Sequence, residues 1–406
     1  MMKRLILGII SLLSLTLYAQ TEQAVSELPT IDDYTESQLP WPLKMQSRLD
    51  SMMRDPLLDY TQAGLMVWDL TDDLPLFCMN HRQLLRPAST MKLVTAITAL
   101  DCLGTDYQFT TSLYYKGDIT NGNLYGDLYC VGGMDPAFSH EDLENFAQSV
   151  KQLGIDTIIG NIVADNTMKD TLKWGEGWCW DDKNPTLTPL LVDRKNEFVT
   201  QFISALSNNG IVLLDITIME GTLAEDATLV SQCRRTIDQV LLRMMKDSDN
   251  LYAESMFYQI AALRDRPGKP LYAQRLERAL MERAGLNSSL YRLADGSGLS
   301  LYNYVSAECL LRLLRYAYYR RPVYDHLLPS LPIAGEDGTL KKRMKGTHAE
   351  GNVQAKTGTL TGIISLAGYC TASNGHRLCF AIINQGIQRA RDARDYQDKI
   401  CDILCE

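Results

Sequence analysis

Near the start of the chain, two short, mostly apolar runs have the length and boundaries of strands. "AGLMVWDL" from Ala63 and "LPLFCMN" from Leu74 flank the Asp-rich "TDD", so they predict two strands joined by a turn. The far end mirrors them. "GNVQAKTGTL" from Gly351, "GIISLAGYC" from Gly362 and "HRLCFAII" from His376 predict three more strands, and Arg389–Cys405 predicts a closing helix. Helical patterns also cover Arg235–Leu263 and Ser306–Tyr319, while residues 106–231 hold short strands, Gly-rich turns and tryptophans. No repeat or low-complexity tract interrupts the chain. The pattern predicts an α/β (α+β) architecture in which residues 20–105 and 232–406 build one domain and residues 106–231 are inserted as a second.

The first residues follow a different rule. Met1-Met2-Lys3-Arg4 is a basic start, Leu5–Leu17 is apolar, and Ala19 supplies a small residue for cleavage. This predicts a signal peptide over residues 1–19, because the apolar core is too short to span a bilayer. No later stretch has the length of a transmembrane anchor, and no cysteine follows the apolar core to carry a lipid. Thr21–Pro42 reads as a polar lead-in. The expectation is an exported protein.

Composition narrows the chemistry. Of the 406 residues, 46% are apolar and 22% charged, as in ordinary globular chains, and the net charge of −9 speaks against a nucleic-acid partner. The ten cysteines are scattered, and histidines 81, 140, 326, 348 and 376 form no H-E-x-x-H, so neither a metal nor another cofactor is expected.

One apolar segment carries a misplaced-looking cation. In "RPASTMKLVTAITALDCLG" from Arg86, Lys92 heads a run with no further charge until Asp101. Pro87 suits the first turn of a helix, which puts Ser89 at its N-terminus. Residues three apart share a helical face, so the Lys92 amine lies beside the Ser89 hydroxyl. A buried lysine can lose its proton and serve as base for a serine nucleophile. Alone the pattern also fits plain helix packing. Two further signals change the weight: Ser248-Asp249-Asn250 in "KDSDNLYAESMF", and Lys356-Thr357-Gly358-Thr359 in "QAKTGTLTG". S-x-x-K, S-D-N and K-T-G in this order form the motif set of serine β-lactamases and penicillin-binding proteins.

The sequence resembles the penicillin-binding D,D-peptidases, in particular the low-molecular-mass class C branch of D-alanyl-D-alanine carboxypeptidases/endopeptidases (peptidase S13-like). "VGGMDPAF" from Val131, "GWCWDD" from Gly177, "LADGSGLS" from Leu293 and "LPIAGEDGTLKKR" from Leu331 carry the closer likeness. It implies a five-stranded antiparallel sheet flanked by helices, agreeing with the strands read above. It also implies peptidoglycan peptides ending in D-Ala-D-Ala as substrate, covalent binding of β-lactam antibiotics, and a periplasmic, cell-envelope location. By the same resemblance Ser89 would be the nucleophile, Lys92 its base and Ser248 the relay to the leaving amine. Asn250 would hold the substrate's peptide chain, and Lys356 and Thr357 its terminal carboxylate. Gly358 would let substrate lie close to the strand edge, and the N–H groups of Ser89 and Thr359 would form the oxyanion hole. Asp165, at the end of the run "NIVAD", would face the cleft and pair with an amine on the substrate; an Asx turn is the alternative.

Two departures stand out. A further domain that follows "GWCWDD" in many relatives is missing, and Leu301 stands where relatives often carry Arg. A serine β-lactamase and a catalytically silent penicillin-binding sensor of the wall remain alternatives. The former needs a group that activates deacylating water, and the latter is expected to show a broken motif; none is broken. Finally, a two-residue turn at Asn374-Gly375 would set Cys370 directly opposite Cys379.

Overall fold

The computed structural model describes residues 39–182 and 184–406, so the expected leader and the lead-in up to residue 38 lie outside the described residues. Contacts divide the chain into a unit ending at Arg54 and a second unit, Asp55–Glu406. Helix α1, Trp41–Met52, belongs to the first and carries Pro42 in its first turn, where no helical bond needs the missing N–H. Everything below concerns the second unit.

Its first sheet joins both ends of the chain. Strands β1 (Gln62–Asp69) and β2 (Leu74–Met79) come first. After them helix α2 (Met91–Cys102) leads away. The chain then builds a second sheet from β3 (Gln108–Thr120), β4 (Asn123–Val131), β5 (Thr157–Asp165), β6 (Val212–Glu220) and β7 (Thr228–Thr236), with α3 (His140–Gln152) and α4 (Phe198–Asn208) between strands. Helices α5 (Ile237–Lys246), α6 (Asn250–Ala261), α7 (Pro270–Arg283), α8 (Ala307–Tyr319) and α9 (Arg321–Ser330) follow. The chain closes with β8 (Gln354–Leu360), β9 (Ile363–Thr371), β10 (Arg377–Gln385) and α10 (Ala390–Cys405). The sheets run β2-β1-β10-β9-β8 and β6-β5-β4-β3-β7.

In the first sheet every neighbouring pair is antiparallel, as the sequence led us to expect. Its central strands β9 and β10 are buried almost from end to end, because α8 packs on one face and α10 on the other. In the second sheet β5 runs parallel to both β4 and β6. Parallel neighbours need a long crossover, and α3 and α4 supply the two. These helices set Phe146 and Phe202 against Leu124, Leu128, Ile158 and Ile162. Helix α2 is buried at every position from Met91 to Leu100, among α6, α7 and α8. That explains its unbroken apolar run: a helix surrounded on all sides has no polar face.

The hairpin between β9 and β10 corrects one expectation. Cys370 pairs with Leu378, and Cys379 with Tyr369. Ala372 N–H donates to His376 O (2.9 Å) and Gly375 takes φ +87°, so the loop has three residues, Ser373-Asn374-Gly375, rather than two. A slip of one residue turns the two cysteines to opposite faces. They are free thiols and cannot reach one another.

Candidate active site

Local chemistry fixes the seat of Ser89. Residues Ala88–Thr90 form one 3-10 turn leading directly into α2, and Ala88 holds the left-handed φ of +48°. Such a conformation is disfavoured for alanine and persists only where surroundings enforce it. Pro87 O accepts from Thr90 Oγ1 (2.7 Å) and from Ser365 Oγ (2.6 Å), tying the turn to β9. Ser89 is partly exposed, and its backbone N lies against β8 at Gly358.

Lys92 lies one turn below the serine, fully buried. Its Nζ is 3.0 Å from Ser89 Oγ, 2.7 Å from Asn250 Oδ1 and 2.8 Å from Ser297 O. The last two are acceptors only. A neutral amine has two N–H donors and one lone pair, so donating to both acceptors leaves its lone pair for the Ser89 hydroxyl. Burial first of all lowers the Lys92 amine from 10.5 to about 8, against the opposing pull of Asp295, Glu254 and Asp249. Burial, with the charge of Asp295, pushes Glu254 itself up to about 8, which weakens that pull near neutrality.

Lys356, on β8, donates to Ser248 Oγ (2.8 Å) and to Thr357 O (2.8 Å). Burial, and then the charge of Lys92, hold its amine well below the usual lysine range. Thr357 Oγ1 donates to Thr339 Oγ1 (2.7 Å), which the "LPIAGEDGTLKKR" stretch contributes. Strand β8 is the edge of its sheet, so from Lys356 onward one row of its backbone groups has no neighbouring strand. Ser248 takes φ +59°, and Asp249 caps α6 by accepting from Leu251 N and Tyr252 N.

Of the residues singled out from sequence, the fold thus brings Ser89, Lys92 and Asn250 into one hydrogen-bonded cluster and joins Ser248 to Lys356. Gly358 lies beside them and is packed against the nucleophile's turn. A side chain there would meet Ser365 Oγ at 2.1 Å, Pro87 O at 2.8 Å and Ser89 N at 3.0 Å, so its bareness makes room for the nucleophile's own turn. Gly358→Ala is therefore expected to shift that turn and to slow penicillin acylation by about 10²-fold, the cost of a displacement near 1 Å. The second-order labelling rate measures it, and a wild-type rate would mean that the gap opens freely.

Asp165 ends β5, buried, and its carboxylate is occupied. Oδ1 accepts from Thr167 N (2.9 Å) and Thr167 Oγ1 (2.6 Å), and Oδ2 from Leu223 N (2.8 Å). It makes no hydrogen bond to the serine–lysine cluster.

Several contributors lie in the quoted stretches but were given no role there. The "LADGSGLS" stretch wraps around buried Asp295, which accepts from Trp178 Nε1, Gly298 N, Ser300 N and Asn303 Nδ2 at 2.7–2.8 Å. That wrapping aims Ser297 O at Lys92, while Glu254 Oε1 accepts from Ser297 N (2.8 Å) from behind. Leu301 also acquires a meaning: its carbonyl accepts from Arg86 Nε (2.9 Å), so an arginine reaches this place from elsewhere in the chain.

Known proteins resemble this chain in sequence and in fold. The chain is 28% identical over 442 residues to a D-alanyl-D-alanine carboxypeptidase of Actinomadura sp. (strain R39), covering 84% of this chain and 81% of that protein. It is 26% identical over 420 residues to D-alanyl-D-alanine carboxypeptidase DacB of Haemophilus influenzae, covering 81% and 86% respectively. The crystal structure of penicillin binding protein 4 (dacB) from Haemophilus influenzae superposes with a TM-score of 0.79 at 23% identity, over 87% of this chain and 97% of that one. That protein has also been solved in complex with a β-lactam. The D-Ala-D-Ala carboxypeptidase 3 (S13) family matches over residues 45–191 and 186–406, which take in all three motifs. With that match spanning most of its length and all three motifs, the chain belongs to that family.

Proposed function

We propose that the chain is a serine-type D-alanyl-D-alanine carboxypeptidase/endopeptidase acting on the peptide stems of peptidoglycan, and that penicillins acylate the same serine. One observation carries the reading: Lys92 Nζ has two acceptors for its two N–H groups and a hydroxyl 3.0 Å away for its lone pair. Lys92 takes the Ser89 proton as Oγ attacks the carbonyl between the two D-alanines. The oxyanion is met by the N–H groups of Ser89 and Thr359. As the C–N bond breaks, the proton passes through Ser248 to the departing amine, leaving an ester on Ser89. Water then hydrolyses the ester and regenerates the serine. Lys356 and Thr357 hold the terminal carboxylate by charge-assisted bonds, Asn250 holds the peptide chain, and free-edge groups of β8 pair with it as an added strand. Release of D-alanine from a peptide ending in D-Ala-D-Ala, assayed with purified protein, tests the reading. Rapid turnover of penicillin without that release would make it a β-lactamase, and a stable adduct without either activity would make it a sensor.

The reading extends to location and to the insertion. Residues 1–19 would be removed on export to the periplasm, and mass spectrometry of the mature N-terminus tests this. Residues 106–231 would form the inserted domain that chooses among wall peptides, with Asp165 pairing with a substrate amine. For Asp165→Asn, a peptide bearing an amine on the residue before D-Ala-D-Ala is expected to lose about tenfold in kcat/KM, while penicillin acylation holds. Because the new amide can set an NH2 against Leu223 N–H, the melting temperature is measured alongside. Equal losses on both substrates would confine Asp165 to supporting the fold.

A further inference from the structure

Opposite the Ser-Asp-Asn turn stands a hairpin whose backbone conformation is hard to account for by folding alone. Val192 N donates to Lys195 O (3.1 Å) and Lys195 N to Val192 O (2.9 Å), closing a two-residue loop at Asp193-Arg194. Both central residues are left-handed, with φ of +45° and +68°. Such a loop favours glycine at its second position, because a side chain there is strained. Arginine occupies it instead. Strain of this kind points to function when the side chain it carries has something specific to do.

The guanidinium has such a partner. Arg194 Nη1 donates to Asp249 Oδ2 (2.6 Å) and Nη2 to Oδ1 (3.1 Å), a two-pronged pair with fixed geometry. The Asp249 side chain is only 8% exposed, with Arg243 Nε 3.5 Å from the same Oδ2. Its Oδ1 also accepts from Leu251 N and Tyr252 N, so one carboxylate fastens the start of α6 to the hairpin. On either side of Asp249 stand Ser248, itself left-handed, and Asn250, which holds Lys92. Hairpin and turn together line a cavity of about 530 Å³ that contains Ser248, Asp249 and Asn250 on one wall and Arg194 and Lys195 on another.

We propose that Arg194 is a positioning residue for acylation: through Asp249 it holds Ser248 and Asn250 in their working places against Lys356 and Lys92. The inference rests on the carboxypeptidase reading above and adds a task for the hairpin. Arg194 touches neither the serine nor the lysine, so its effect passes through the motif's middle residue.

Glycine provides the decisive variant, since it relieves the backbone strain while removing the clamp. Arg194→Gly is expected to keep or raise the melting temperature. At saturating benzylpenicillin its limiting acylation rate constant should fall by about tenfold or more, with the dissociation constant of the first complex changed less than about twofold. Arg194→Lys should recover part of that rate, and Asp249→Asn should lose about as much as Arg194→Gly. The double variant should then lose little more than either alone, because both remove one clamp. Overturning results are a wild-type acylation rate in Arg194→Gly, a loss confined to the dissociation constant, a fall in melting temperature that accompanies the rate, or losses that multiply in the double variant. A wild-type protein that penicillin does not acylate would overturn the carboxypeptidase reading and this inference with it; a normally acylated wild type with an unaffected Arg194→Gly overturns the inference alone.

Discussion

Ser89→Ala is expected to abolish covalent labelling by a fluorescent penicillin and to stop D-alanine release, with the melting temperature unchanged. The hydroxyl is the only group on the Ser89 side chain able to form the ester. Ser248 Oγ is engaged by Lys356 rather than by Lys92. The turn does not depend on the lost oxygen, because Pro87 O keeps its bonds from Thr90 and Ser365. Labelling at the wild-type rate would move the nucleophile elsewhere; a lower melting temperature would give the hydroxyl a structural share. Gel fluorescence with a thermal melt on the same preparation measures both.

Lys92→Ala should slow acylation roughly 10³-fold or more, toward the upper part of the range for loss of a positioned base. The pH profile gives the sharper test. An amine at its ordinary 10.5 would be neutral in fewer than about one molecule in a thousand at pH 7, whereas near 8 the share is about one in ten. The neutral form is the base, and it accumulates as pH rises. Acylation by wild-type protein is therefore expected to climb through pH 7, pass half-maximum near 8 and level above it. The Lys92→Ala profile should be flat over the same range. A wild-type rate that falls as pH rises from 6 to 8 would mean that the ammonium form is the working one. The same burial affects stability. Between about 8 and 10.5 the unfolded chain binds a proton at this lysine that the folded chain does not, so for this group stability rises with pH across that window.

The architecture of the first sheet was legible because its strands are short apolar runs bounded by turn residues. β2 lies at the edge of the sheet and stays largely exposed, whereas β1, β9 and β10 are nearly continuous apolar runs buried along most of their length. The parallel pairing of β5 with β4 and β6 was not legible, since nothing in a strand's own residues states the direction of its neighbour. Nor was the hairpin register. Asn374-Gly375 is the strongest short-range signal for a two-residue loop, yet the pairing of Ala372 with His376 makes a three-residue one. Both loops use a glycine at positive φ, so local preference alone could not separate them.

What the sequence determined by itself is the chemistry: a serine and lysine one helical turn apart, a Ser-Asp-Asn turn, and a Lys-Thr-Gly strand. Each is a short-range pattern whose function depends on side-chain type, and side-chain type is what a sequence records. Tertiary structure alone decided how that chemistry is held. Ser297 reaches Lys92 through a backbone carbonyl, which every residue possesses and no sequence marks. Glu254 and Asp295 fix that carbonyl, and Arg194 reaches Asp249 from 55 positions away. The partners of Asp165 and the close neighbours of Gly358 belong to the same class. All depend on which distant segments the folded chain brings within about 3 Å, a consequence of packing the whole core rather than of any local run of residues.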